Sequence, residues 1–85
     1  MARKRPLKYR DLRSRLESFG VFENKRRGKG SERMFSGVVD GVIRSYPTKC
    51  HNENDEKPVP VINAIRRCFH LTPEYWVSDE DFYGK

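Results

Sequence analysis

The sequence predicts a small α+β domain, with an antiparallel three-stranded sheet and two helices on one face, in the order α-β-β-β-α. Three observations lead there. Apolar residues recur with a helical period near both ends of the chain. Between them, Asp40-Gly41 separates Val38-Val39 from Val42-Ile43, the pattern of a tight hairpin. The chain has 85 residues, which is room for one modest core. A sheet that is apolar on one side must be covered on that side, and two helices can do it.

The elements follow in order. Residues 1–6 are read as a basic, disordered end. Tyr9, Leu12, Leu16 and Phe19 line one helical face, with Lys8, Arg10, Arg13 and Arg15 on the other. A first helix is predicted at about 7–19, closed by Gly20, where a glycine can take the left-handed conformation. Val21–Lys25 is a short first strand. Gly28 and Gly30 mark a loop. Glu32–Val39 reads as the second strand, anchored by Met34 and Phe35, and the third runs over about 42–48. A type I′ turn at Asp40-Gly41 would join them, since it needs positive φ at both central residues. Counting outward from that turn sets Val39 against Val42 and Glu32 against Lys49.

Residues 48–57 are polar and turn-rich. Val61, Ile62, Ile65, Cys68 and Phe69 then fit a second helix at about 59–70. Pro60 is tolerated in its first turn, where a missing N–H has no partner. Thr72-Pro73-Glu74 has the form of a helix start, so a short turn at 73–77 is expected to seat Tyr75 and Trp76 on the core. That reading prefers core packing over a base-stacking platform for the pair. The single domain is thus placed at 7–77, and the acidic residues 78–85 are read as a loose end.

Charge is segregated along the chain. The net charge is +6, but residues 1–35 carry +8 and residues 36–85 carry −2. A basic half suggests a polyanion, nucleic acid being the commonest. Two cysteines make no disulfide framework. No apolar run has the length of a membrane span or a signal segment. The reading is therefore a cytoplasmic protein with no membrane association. The Cys50-His51 and Cys68-x-His70 spacings do not match zinc-finger patterns, and no metal or cofactor is expected.

The candidate site lies in Lys25-Arg26-Arg27-Gly28-Lys29-Gly30-Ser31-Glu32-Arg33. Glycines allow close backbone approach to a ligand, and Arg and Lys bring phosphate-binding charge. Arg26, Arg27, Gly28, Lys29, Gly30, Ser31 and Arg33, with Lys49, form the expected phosphate-binding tract for a nucleic acid. Such loops grip the backbone more than they read bases. Glu32 is the acid among these cations. It reads as a catalytic carboxylate or as an ion-pair partner of Arg33 or Lys29. His51 follows the third strand, near the Glu32–Lys49 end, and reads as its acid–base partner or as a loop cap. His70, near the end of the second helix, complements the helix dipole.

Gly28-Lys29-Gly30-Ser31-x-Arg33 resembles the Gly-x-Gly-Ser-His-Arg signature of HicA-type toxins. Tyr9-Arg10-Asp11-Leu12 is similar to that family's first helix. Tyr46-Pro47 to His51, Pro58, Ile62 and Ile65 resemble its third strand, loop and second helix, so the resemblance spans about residues 7–71. It implies a double-stranded-RNA-binding-like α-β-β-β-α fold. It also implies a messenger-RNA-cleaving activity and a HicB-like antitoxin partner. The family's signature histidine is held to be catalytic; here its position is Glu32. Three readings follow: an endoribonuclease toxin using Glu32 and His51, an RNA-binding module that does not cut, and a basic protein that binds an acidic antitoxin-like partner.

Overall fold

The computed structural model describes residues 3–24 and 32–84. Strand β1 (Leu7–Lys8) leads into helix α1 (Tyr9–Ser18); β2 (Phe22–Asn24), β3 (Glu32–Val39) and β4 (Val42–Lys49) follow. Then come β5 (Glu56–Lys57), helix α2 (Val59–Cys68), a 3-10 turn (Pro73–Tyr75) and helix α3 (Asp79–Tyr83). The three central strands form one antiparallel sheet in the order β2-β3-β4, and β1 pairs with β5 in a separate two-residue ladder. Among the described residues, no helix is long and apolar enough to cross a membrane.

Sheet alternation decides where the core sits. Phe35, Gly37 and Val39 turn inward and are buried, whereas Val38 is exposed. Against the inward face pack Tyr9, Leu12 and Leu16 from α1 and Ile62 and Ile65 from α2. These helical positions are the ones that periodicity predicted. Gly37 is needed for close approach: a Cβ there would meet the Val21 side chain at 3.0 Å.

Turn chemistry agrees with the sequence at two points. Asp40 and Gly41 have φ of 52° and 77°, as the predicted turn requires. Gly20, with φ of 82°, ends α1, and the Val21 amide donates to the Leu16 carbonyl at 2.9 Å. Helix α2 ends the same way but with His70 in the left-handed position, at φ of 57°, and the Leu71 amide on the Arg66 carbonyl. The helix therefore stops two residues short of the predicted end. The His70 ring stacks on Tyr75 with centroids 3.9 Å apart, and its Nδ1 lies 3.5 Å from Asp40.

Two expectations are corrected. Tyr75 is exposed and Trp76 is 93% exposed, so the pair does not pack in the core. Trp76 takes a left-handed conformation at the end of the 3-10 turn, and this directs it outward. The acidic end is not loose either. Ser78 and Asp81 form a reciprocal capping box that starts α3, and Phe82 and Tyr83 are fully buried.

Arg66 holds this end in place. It is 1% exposed. Its Nε donates to the Leu71 carbonyl at 2.7 Å and its Nη1 to Asp79 at 2.9 Å. The guanidinium also lies 4.8 Å from the Phe82 ring centroid. Arg66→Ala would orphan a buried carbonyl and leave a void beneath Phe82. We expect it to cost about 3 kcal/mol in urea unfolding. A loss below about 1 kcal/mol would show that the end is held by its apolar contacts alone.

Candidate nucleic-acid interface

The Asp40-Gly41 turn fixes the register of the β3–β4 hairpin. Val39 pairs with Val42, Phe35 with Tyr46, and Glu32 with Lys49. The last pair was expected from counting alone. Because side chains alternate along a strand, Glu32, Met34, Ser36 and Val38 share the open face with Lys49, Pro47, Ser45 and Ile43. Glu32 and Lys49 are both exposed. Beyond Lys49 the chain buries Cys50 and re-emerges at the exposed His51. The hairpin end therefore brings together Glu32 and Lys49 as cross-strand neighbours, with His51 two residues further along.

Arg26, Arg27, Gly28, Lys29, Gly30 and Ser31 lie outside the described residues. Arg33 is described, and it points to the other side of the sheet from Glu32. Its Nη1 lies 3.7 Å from Glu23, so its ion-pair partner is Glu23 and not the neighbouring Glu32.

Glu23 lies at the centre of a polar cluster that sequence reasoning missed. Its side chain is 3% exposed. The Tyr9 hydroxyl donates a hydrogen bond to Glu23 Oε2. Glu23 Oε1 lies 3.6 Å from Arg13 and 3.7 Å from Arg33. Those distances are too long for hydrogen bonds, so the compensation at Oε1 is coulombic. Arg13 in turn makes a bidentate pair with Glu53, at 2.9 and 2.6 Å. The same loop caps α1: the Tyr9 and Arg10 amides donate to the carbonyls of Asp55 and Glu53. The cluster therefore ties together α1, β2, the start of β3 and the loop that carries His51. One signal was available in the sequence: alternation with Phe22 and Asn24 puts Glu23 on the core side of its strand.

Burial is the main influence on the titration of the shifted tyrosines and cysteines. It pushes the Tyr9 hydroxyl well above its ordinary value of 10.0, and the bond to Glu23 adds to the effect. It also raises Tyr83, Cys50 and Cys68. The two thiols are therefore poor nucleophiles. For the tyrosines the folded state favours the neutral form. The unfolded chain ionises first, near pH 10, so stability is complete below about pH 10 and falls as pH rises beyond it. Melting temperature measured between neutral pH and about pH 11 should show this decline, and Tyr9→Phe should blunt it. A flat profile in the wild type would refute the assignment. Among the described residues, no group of three or more His, Cys, Asp and Glu is placed to hold a metal ion.

Comparison with models of protein families, with curated proteins and with solved structures finds no match for this chain.

Proposed function

We propose that this protein is a HicA-like toxin of double-stranded-RNA-binding-like fold, a cytoplasmic endoribonuclease acting on messenger RNA. The observation that carries the reading is the cross-strand pairing of Glu32 with Lys49 on the open sheet face, where the basic tract joins β3. In this mechanism Glu32 takes the proton from a ribose 2′-hydroxyl. That oxygen bonds to the adjacent phosphorus, the bond to the 5′-oxygen breaks, and protonated His51 gives that oxygen a proton. Lys49, with the tract at residues 25–31, offsets the extra negative charge of the phosphorane. No metal is required. A HicB-like antitoxin would neutralise the activity.

A second reading is supported by Glu32 itself. At neutral pH a glutamate is a weaker base than the histidine of the family signature. A chain that kept the fold and the tract but lost the base would bind RNA without cutting it. The third reading, a basic protein that serves an acidic antitoxin-like partner, rests on the basic half of the sequence.

Purified protein incubated with RNA in EDTA, together with induced expression in growing cells, separates the first two. Cleavage in EDTA with growth arrest is the expected result. Protein that neither cuts RNA nor arrests growth is not an enzyme of this kind. RNA affinity that falls steeply with salt would then support the silent binder, whereas weak, salt-insensitive binding would favour the protein partner.

A further inference from the structure

We propose that a hollow on the open face of the sheet is a subsite for one nucleobase of single-stranded RNA. The inference rests on the RNA-binding reading and adds to it where a base is held. The hollow measures about 170 Å³ and is lined by Asn24 of β2, Met34 and Ser36 of β3, and Ser45 of β4. A space smaller than the roughly 300 Å³ of drug-sized pockets suits one ring system, not an extended ligand.

The lining has the mixed character that a base needs. The Ser36 and Ser45 hydroxyl oxygens are 3.0 Å apart across the strands. Each hydroxyl has one proton and two lone pairs, so their mutual bond leaves a donor and several acceptor positions for a base edge. Met34 supplies a polarizable thioether surface. Phe22 stands opposite Ser36 in the β2–β3 register and is 57% exposed. An exposed phenyl on a sheet face is a platform on which any base can stack.

The subsite also lies in the right place. Met34 is two residues from Glu32 on the same face, roughly 7 Å along the strand. Among the described residues of that face, Lys49 is a cation two positions beyond Pro47, the partner of Met34. A base in the hollow would therefore bring its backbone toward Lys49 and the proposed cleavage point. Further along, Val38 and Ile43 pair on the same face and are exposed. They would suit a protein partner, but the hydroxyl-lined hollow and the cation beside it favour nucleic acid.

Four short single-stranded oligoribonucleotides, each of one base type, test the proposal by fluorescence anisotropy across a salt series. Phe22→Ala should weaken binding to all four by roughly 5- to 100-fold, the range for loss of a stacked base. Its salt slope should match that of the wild type, because no phosphate contact is lost. The double change Ser36→Ala with Ser45→Ala should flatten the differences among the four bases at an unchanged salt slope. All three residues lie on the open face, and circular dichroism would verify that each variant is folded. If wild type binds RNA and both variants bind exactly as it does, the subsite is refuted and the function reading stands. If wild type binds no RNA, the function reading fails and the subsite with it. If sedimentation shows a wild-type dimer that Phe22→Ala abolishes, the face is a contact between copies and the subsite is refuted.

Discussion

Glu32→Gln and His51→Ala are each expected to slow RNA cleavage by about 10²- to 10⁴-fold, the range for loss of one general acid or base. Both residues are exposed, so stability should change by less than about 0.5 kcal/mol. Rate and fold should therefore separate cleanly. The pH profile provides a sharper test. With Glu32 as base and His51 as acid, the wild type should show a bell, and each variant should lose one limb of it. Glu32→Gln should remove the acidic limb and His51→Ala the alkaline one. The double variant should be little slower than the worse single, because groups acting in one step are not additive. Single-turnover cleavage of a defined RNA across pH measures all of this. Unchanged rates in both single variants would remove the site assignment and leave the activity to other residues.

The part of this site that was legible in the sequence depends on one turn. Asp40-Gly41 has few conformational choices, and a period-two ladder transmits its register along both strands. The Glu32–Lys49 pairing therefore follows from the sequence by counting outward from the turn. Helix faces were legible for a similar reason, since Tyr9, Leu12, Leu16, Ile62 and Ile65 repeat with a fixed period. What was not legible depends on distant partners. Arg66 looks like a surface cation until residues 77–83 fold over it. The run Asp79-Glu80-Asp81 looks solvated, although Ser78-x-x-Asp81 already has capping-box spacing. Trp76 looks like core by its size, and only the left-handed turn sends it outward. Glu23 is an acid on a three-residue strand. Its burial is imposed by Tyr9, Arg13 and Arg33, which come from two other elements.

Glu23→Ala is expected to destabilise the fold by about 3–5 kcal/mol, the cost of removing one partner from a buried ionic group. The mechanism is specific. Arg13 keeps its bidentate pair with Glu53, so it is only partly orphaned. Arg33 loses the carboxylate it faces, while its Nε is already buried without a hydrogen bond. The Tyr9 hydroxyl loses its acceptor as well. Tyr9→Phe, which removes only the donor, should cost about 1–3 kcal/mol. Urea unfolding of a further variant distinguishes stranded charge from lost packing. If the penalty is mainly the uncompensated Arg33, then Glu23→Ala combined with Arg33→Met should be more stable than Glu23→Ala alone, because removing both charges spares the desolvation cost. If the penalty is lost packing, the second substitution should add to the damage. Recovery would have a functional consequence. Glu23 and Arg33 flank residues 25–31 in the chain and tie β2 to β3 where the basic tract joins the sheet. The double variant would then keep the fold while removing the ionic tie at the base of the tract. Because Arg33 is also a cation of the expected tract, unchanged RNA affinity in this variant would show that neither the tie nor Arg33 serves binding, whereas a loss would be compared with Arg33→Met alone.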